Sequence, residues 1–192
     1  MKYPIAALIL AGGGSTRMGQ DKALLAAGEQ NLLQEKARWL IEHCEAVYIS
    51  ARNQEDYAQA GVPVIPDKQP DCGPLMGLYS GLEEIDSSHC FLIACDIAPP
   101  PWELLEILYN ARDTHDAVIP RTTRGLEPLF GLYARKALTQ LQVQLDAGAR
   151  SLHRFLDQID THYVDTDAAL FKNLNTPEDY AAYIQSLENT PS

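Results

Sequence analysis

The hydrophobic pattern of the chain alternates between two kinds of segment. Continuous apolar runs at residues 5–10 and 90–95 are typical of strands that are buried on both faces of a sheet. Apolar residues with helical spacing, separated by charged ones, predict helices at 31–44 and 74–85. Strand and helix units of this length, repeated along the chain, predict a three-layer α/β fold, with a mostly parallel twisted sheet and helices on both faces.

The remaining elements follow the same alternation. No stretch between them is rich enough in proline, glycine or serine to be a linker between domains. We therefore expect a single domain over residues 1–188 and a flexible tail at 189–192. Further strands are predicted at 46–51, 62–65, 117–119 and 129–133, further helices at 54–60, 102–111 and 136–145, and the segments 151–159 and 177–187 complete the alternation.

Composition and charge exclude several classes of protein. The 192 residues are 46% hydrophobic and 21% charged, and no apolar run reaches the roughly 18 residues that a membrane span needs. Residues 1–4 lead directly into a strand without the apolar region of a secretory signal, so we expect a cytoplasmic protein with no membrane partner. The net charge of −11 and the scattered lysines and arginines argue against nucleic-acid binding.

A glycine-rich loop follows the first predicted strand. Residues 10–22 have the sequence LAGGGSTRMGQDK. Glycine amides can turn toward an anion, because glycine tolerates positive φ and has no Cβ, and Arg17 and Lys22 add positive charge. Gln20 and Asp21 stand where a Walker A loop needs lysine and serine or threonine, and Arg17 occupies the third glycine position of the dinucleotide pattern. The loop is therefore a candidate phosphate-binding site, but it is neither a Walker A loop nor a dinucleotide-binding loop.

A carboxylate follows the apolar run 90–95. Asp96 comes directly after it, where a carboxylate either caps the next helix or binds a cation. Ligands of open α/β sheets bind outside the carboxyl ends of the strands, so the loops after residues 10, 65 and 95 should converge. Together with the glycine-rich loop, this position favours Mg²⁺ at Asp96, since Mg²⁺ typically binds one or two carboxylates plus substrate phosphates.

The glycine-rich loop resembles the signature of the nucleotidyltransferases that attach GMP or CMP to the molybdenum-pterin cofactor, the molybdenum cofactor guanylyltransferase family among them. Segments 72–78 and 173–179 agree with the same family, so the resemblance spans nearly the whole chain. It implies a Rossmann-like nucleotidyltransferase fold. The matching loop residues are Leu10, Ala11, Gly12, Gly13, Ser15, Arg17, Met18, Gly19, Asp21 and Lys22.

The resemblance implies roles for four polar residues outside the loop. It places the metal ligand at Asp96 and a nucleotide-contacting carboxylate at Asp67. Asn173 and Asn175 match asparagines near the acceptor side of the cleft, where they would bind substrate or assist the metal. The predicted nucleotide-binding residues are Leu10, Ala11, Gly12, Gly13, Lys22, Asp67 and Asp96.

Two cations of the loop are predicted to act with Asp96 in catalysis. Transfer of a nucleotidyl group depends on alignment and on neutralising charge as pyrophosphate leaves. The Arg17 guanidinium can bind two oxygens of the β- and γ-phosphates, and Lys22 is a point charge near the α-phosphate. The alternative is that both are solvated surface cations.

The hypothesis that follows from the resemblance is transfer of GMP from Mg²⁺-GTP to the terminal phosphate of molybdenum-bearing molybdopterin, with release of pyrophosphate. GTP is preferred because GTP users of the family tend to have the pair Gly12-Gly13, where CTP users have Ala-Gly. The pterin is expected to contact loops such as 121–127 and 148–153. Proteins that deliver the cofactor, or molybdoenzymes that receive it, are the implied protein partners.

Two other functions stay open at the level of sequence. A molybdopterin cytidylyltransferase or a sugar-1-phosphate nucleotidyltransferase would share the glycine loop and the metal aspartate. A nucleotide-binding module without turnover would need fewer of Arg17, Lys22 and Asp96 than this chain has. Thr176 and Pro177 have a structural explanation, as the N-cap and the first residue of a helix.

Overall fold

The computed structural model describes residues 2–11, 26, 27, 30–69, 72–174, 176, 178, 179, 182, 183 and 185. The predicted tail at 189–192 lies outside these residues. The strands are β1 (Tyr3–Leu10), β2 (Ala26–Ala27), β3 (Gln30–Asn31), β4 (Cys44–Ala51), β5 (Val64–Pro66), β6 (His89–Ala94), β7 (Ala117–Thr122), β8 (Gly125–Leu126), β9 (Phe130–Ala134) and β10 (Thr161–Asp165). The helices are α1 (Leu32–His43), α2 (Pro74–Glu84), α3 (Trp102–Asn110), α4 (Leu138–Asp146) and α5 (Leu152–Leu156), with 3₁₀ turns at Glu55–Ala60, Arg135–Ala137 and Ala168–Leu170.

One mixed sheet organises the described residues. Its strand order is β10-β7-β9-β6-β1-β4-β5, with β8 added beside β7. The pairs β10–β7, β6–β1, β1–β4 and β4–β5 are parallel, whereas β9 is antiparallel to both of its neighbours. The prediction of a mostly parallel α/β sheet is therefore confirmed.

Helices cover both faces of the sheet, which confirms the three-layer architecture. On one face, α1 and α3 pack through buried leucines such as Leu40 and Leu105. On the other face, α2, α4 and α5 contribute Leu78, Leu141 and Phe155. The central strands β1 and β6 are buried on both faces, as their continuous apolar runs predict.

The order of the strands creates one edge at which many loops meet. From β1 the chain continues through β4 to β5 on one side, and it then returns to place β6 on the other side of β1. The carboxyl ends of β1, β4, β5, β6, β7 and β10 all lie at this edge. Because β9 runs in the opposite direction, its first residues lie there too. The strand order therefore reverses between β1 and β6, and an open α/β sheet binds its ligand at such a topological switch point.

Three local features differ from the sequence-based prediction. The first is strand β10, which the sequence did not predict because the segment Thr161–Asp165 mixes polar and apolar residues and has no buried face. In α1, Ile41 is 42% exposed, while the charged residue Lys36 is fully buried. The exposure of Ile41 and the burial of Lys36 both follow from the rotation of α1 about its axis on the sheet.

The predicted cap at Thr176 is confirmed. The main-chain N–H of Asp179 donates to the Thr176 hydroxyl at 3.1 Å, and the main-chain N–H of Thr176 donates to the Asp179 carboxylate at 2.9 Å. Pro177 lies outside the described residues. Within the described part of the chain, no helix combines the length and apolar character that crossing a membrane requires.

Candidate functional site

Main-chain hydrogen bonds fix the point where the glycine-rich loop leaves β1. The carbonyl of Leu10 accepts from the N–H of Cys95 at 3.0 Å, and the N–H of Ala11 donates to the carbonyl of Ser50 at 2.9 Å. Leu10 and Ala11 are thereby held between the ends of β6 and β4. The loop therefore starts at the switch point between β1 and β6. Its predicted residues Gly12, Gly13, Arg17 and Lys22 lie outside the described part of the chain.

Asp96 lies in the turn that follows β6, beside the end of β1. Its main-chain carbonyl accepts a 2.8 Å hydrogen bond from Leu174, and its side chain is half-buried. Among the described residues, no group donates a hydrogen bond to the carboxylate. The predicted adjacency of Asp96 and the start of the glycine-rich loop is therefore present.

The Asp96 carboxylate is an oxygen ligand of the kind that Mg²⁺ binds. The described residues contain no group of three or more histidine, cysteine, aspartate or glutamate side chains placed to hold a metal. A cation at Asp96 would take its remaining ligands from phosphate oxygens and water. That is the coordination that Mg²⁺ adopts at nucleotide sites.

Asn173 lies next to the same turn. It forms an isolated antiparallel bridge with Ile97, and its side chain is exposed. Asn173 and Asp96 line one cavity of about 260 Å³ at the ligand edge of the sheet. The structure thus brings together two of the predicted site residues, whereas Asn175 lies outside the described residues.

Asp67 lies at the same edge but on the far side of β1. The hydroxyl of Ser50 donates to its carboxylate at 2.6 Å, and its main-chain N–H donates to Ala51 at 3.0 Å. Partial burial raises the pKa of the carboxyl group, while the Ser50 hydrogen bond and Arg52 act in the opposite direction. Three interstrand spacings, or about 14 Å, separate β5 from β6. Asp67 and Asp96 therefore lie apart along this edge and do not form one cluster.

The loops expected to contact the acceptor meet at the cavity beside Asp96. Glu127, Ser151 and His153 are part of its lining. Partial burial raises the pKa of the Glu127 carboxyl group, while Arg124 and His153 oppose that effect. The main chain around Glu127 is fixed by hydrogen bonds to Pro120 at 3.0 Å and from Phe130 at 3.0 Å. A half-buried glutamate therefore lines the same cavity as Asp96.

Lys36 is a buried cation that the sequence analysis missed. Its ammonium group donates to the main-chain carbonyls of Ala94 at 2.7 Å, Cys95 at 2.9 Å and Ile97. Burial lowers the pKa of Lys36 to about 8, while Cys95 and Asp96 act in the opposite direction, so the ammonium form predominates at neutral pH. One signal could have identified it: Lys36 lies four residues after Leu32 and four before Leu40, on the apolar face of α1.

The sequence and the fold both resemble those of known proteins. The sequence profile of the family described as "MobA-like NTP transferase domain" matches residues 7–162. That range includes the second half of β1, the glycine-rich loop, Asp67, Asp96 and Glu127. The resemblance seen in the sequence is confirmed.

Individual relatives cover nearly the full chain. A "Probable molybdenum cofactor guanylyltransferase" of Nostoc sp. is 35% identical over 92% of this chain and 89% of its own. A "Molybdenum cofactor guanylyltransferase" of Syntrophotalea carbinolica is 32% identical over 91% of this chain and 88% of its own. The crystal structure of molybdopterin-guanine dinucleotide biosynthesis protein A from Archaeoglobus fulgidus superposes with a TM-score of 0.81 at 22% identity and covers 97% of this chain and 100% of its own, which shows a shared fold.

Proposed function

The chain belongs to the family of MobA-like NTP transferase domains, and from this membership we propose that it transfers GMP from Mg²⁺-GTP to the terminal phosphate of molybdopterin carrying molybdenum. An oxygen of the acceptor phosphate forms a bond to the α-phosphorus of GTP. The bond from that phosphorus to the bridging oxygen of the β-phosphate breaks, and pyrophosphate leaves. The observation that carries the proposal is the position of Asp96, which lies beside the start of the glycine-rich loop and shares a cavity with Asn173.

The donor half of the proposed site follows the edge of the sheet from β5 to β6. Asp67 would accept hydrogen bonds from the base or ribose, and the amides from Leu10 to Gly13 would face the phosphates. Arg17 and Lys22 would bind the charged oxygens of the triphosphate, and Lys22 would stabilise the charge that develops as pyrophosphate leaves. The span of about 14 Å between β5 and β6 suits an extended nucleoside triphosphate.

Asp96 would hold the divalent ion at the junction of the two halves. Bound Mg²⁺ would supply charge neutralisation and orientation at the phosphates. The half-buried carboxylate would provide one ligand. The turn that carries it accepts main-chain hydrogen bonds from the N–H of Leu174 and from the ammonium group of Lys36. Asn173 would assist from the acceptor side.

The acceptor half would be the cavity lined by Glu127 and His153. A phosphate monoester is already an anionic nucleophile at neutral pH, so no residue has to remove a proton from it. The pyrimidine ring of a pterin presents an N–H and an amino group side by side, and a carboxylate accepts such a pair of donors. Glu127 is the described carboxylate of this cavity other than Asp96, and we assign it to that edge of the pterin.

The test is a reconstituted reaction. Purified protein is incubated with Mg²⁺, molybdenum-loaded molybdopterin and GTP, and both pyrophosphate and the dinucleotide product are measured by mass spectrometry. GMP transfer is the expected result, and release of pyrophosphate only with CTP, or only with a sugar 1-phosphate as acceptor, would replace the proposal by one of its rivals. Binding of GTP without formation of a dinucleotide product with any of the acceptors would favour a nucleotide-binding module without turnover.

The preference for GTP over CTP is tested separately by calorimetric titration with each nucleotide in the presence of Mg²⁺. It rests on the pair Gly12-Gly13. Tighter binding of CTP would make the preference wrong while leaving nucleotidyl transfer in place. The cytoplasmic location, the partner proteins and the domain boundary at residue 188 stay predictions.

A further inference from the structure

Lys36 is an unusual residue for the interior of a helix packed on a sheet. It has no exposed surface, although lysine is almost never fully buried without a partner. Among the described residues no carboxylate forms an ion pair with it. Its position is therefore not explained by charge pairing within the described part of the chain, and main-chain carbonyls supply its contacts instead.

Those contacts use all three N–H donors of the ammonium group. The acceptors are the carbonyls of Ala94, Cys95 and Ile97, which flank Asp96 on both sides. The remaining carbonyl of this stretch, that of Asp96, accepts from Leu174 at 2.8 Å. Every carbonyl from Ala94 to Ile97 thus has a donor, and Lys36 satisfies three of the four.

Removal of this ammonium group would weaken the hydrogen bonding that holds the turn. The carbonyls of Cys95 and Ile97 would lose the donor that Lys36 provides, whereas the carbonyl of Ala94 would keep a 3.3 Å hydrogen bond from the N–H of Ile97. Leaving a buried acceptor without a donor is unfavourable. The turn would have to open toward water or rearrange, and the Asp96 carboxylate would move with it. Helix α1, which follows the glycine-rich loop in sequence, therefore controls the conformation of the segment that carries Asp96.

We propose that Lys36 is a positioning residue for the divalent ion: its ammonium group, acting as a fixed internal cation among three carbonyls, holds the turn 94–97 so that the Asp96 carboxylate faces the triphosphate. The proposal rests on the proposed function only in taking Asp96 as the metal ligand. Lys36 itself touches neither the nucleotide nor the acceptor.

The test compares metal binding in matched variants. Lys36→Met keeps the length of the side chain and removes the three donors, whereas Leu40→Ala removes packing one turn later on the same buried face of α1. Binding of Mn²⁺ is measured by electron paramagnetic resonance in the presence of GTP, and amide hydrogen exchange is measured at Ile97 and Ala98. Substitution of the residues that orient a metal ligand typically lowers metal affinity about 10- to 100-fold. A loss of Mn²⁺ affinity of about this size is expected for Lys36→Met.

Leu40→Ala is expected to unfold at lower temperature with unchanged Mn²⁺ affinity. In Lys36→Met, the amides of Ile97 and Ala98 should exchange faster than in Leu40→Ala, because the turn itself has opened. Lys36→Gln retains an amide donor for the carbonyls and serves if the methionine variant does not fold; its Mn²⁺ affinity should fall between wild type and Lys36→Met. A folded variant of either kind with wild-type Mn²⁺ affinity and wild-type exchange overturns the proposal.

Asp96→Asn in the same titration separates the two hypotheses. If Asp96→Asn binds Mn²⁺ like wild type, the metal ligand is misassigned and the proposed function loses its main support. If Asp96→Asn loses Mn²⁺ binding but Lys36→Met and Lys36→Gln retain it, only the role of Lys36 is wrong.

Discussion

The hydroxyl of Ser50 donates a 2.6 Å hydrogen bond to the carboxylate of Asp67 and so ties together the ends of β4 and β5. Ser50 is itself buried, and its main-chain carbonyl accepts the N–H of Ala11. One residue therefore connects the proposed base-binding carboxylate with the start of the glycine-rich loop. Disturbing this connection should affect nucleotide binding more than it affects the acceptor.

Asp67→Asn is expected to weaken GTP binding about tenfold or more, because hydrogen bonds to charged groups contribute about 1.5–3 kcal/mol. The same change should stabilise the fold at neutral pH. The pKa of Asp67 is raised in the folded state, so ionisation of this group lowers the free energy of unfolding above that pKa, and the effect disappears as the pH falls below it. Thermal unfolding from pH 7 down to pH 4 checks the second effect, and calorimetry checks the first.

The control for Asp67→Asn is Glu45→Gln, an exposed change near the opposite end of β4. It should leave GTP affinity and the pH dependence of unfolding as in wild type. An Asp67→Asn variant that binds GTP with wild-type affinity would show that this carboxylate has no part in the nucleotide site.

Asp96→Asn is expected to abolish turnover that depends on Mg²⁺ while leaving the fold intact. The asparagine has nearly the same size, and the hydrogen bond from Leu174 goes to the main chain, which the substitution leaves unchanged. Loss of two orders of magnitude or more in kcat is the expected size, as for other groups that stabilise charge in a transition state. Pyrophosphate release and circular dichroism measure the two properties.

The exposed residue Asp86 provides the comparison, since Asp86→Asn removes the same charge far from the ligand edge and should retain full activity. Mg²⁺-dependent turnover at the wild-type rate in Asp96→Asn would exclude this residue as the metal ligand.

Gly77→Ala is expected to weaken GTP binding through crowding. A Cβ at this position of α2 would lie 2.7 Å from Leu10 Cδ2 and 2.7 Å from the Ser50 hydroxyl oxygen. The cost of such overpacking is about 1–3 kcal/mol of unfolding free energy. Because Ser50 has to shift, its hydrogen bond to Asp67 should weaken as well, and GTP affinity should fall.

Gly81→Ala makes a matched control on the same helix. Its Cβ would collide with Leu8, in the middle of β1 and away from the ligand edge. Both variants should unfold at lower temperature, but the loss of GTP affinity should be confined to Gly77→Ala. Equal loss of affinity in both would mean that nucleotide binding reports only general stability.

Glu127→Gln is expected to raise the KM for the molybdopterin acceptor about tenfold and to leave the KM for GTP unchanged. The substitution keeps the size of the side chain and both main-chain hydrogen bonds of this residue, so only the charge is removed. Steady-state kinetics with each substrate varied in turn gives the two constants. Glu103→Gln, an exposed change at the start of α3, should alter neither. A rise in the KM for GTP alone would move Glu127 to the donor half.

Much of this architecture can be predicted from sequence because the central strands are continuous apolar runs. β1 and β6 are buried on both faces, and a residue such as Asp96 that follows such a strand can only lie at the edge of the sheet. The direction of β9 could not be predicted in the same way. Phe130–Ala134 is as apolar as a parallel strand, and its reversal is set by the short β7–β8 hairpin before it.

The role of Lys36 was hidden for a different reason. A charged residue between apolar ones normally faces water, so the pattern of segment 31–44 by itself favours Ile41 inside and Lys36 outside. The structure reverses the two: the Lys36 ammonium group donates to three carbonyls at and after the end of β6, which no apolar side chain could do. That need arises from a turn more than fifty residues away in sequence.

The reversal of β9 has a consequence for how such a domain can change over time. It brings the connection 123–129, which contains the β7–β8 hairpin, to the ligand edge on the side of β6 away from Asp67 and the start of the glycine-rich loop. Under the proposed function, insertions or substitutions in this hairpin would remodel the entrance for the acceptor and leave the donor half intact. Donor and acceptor specificity could then diversify separately on one scaffold.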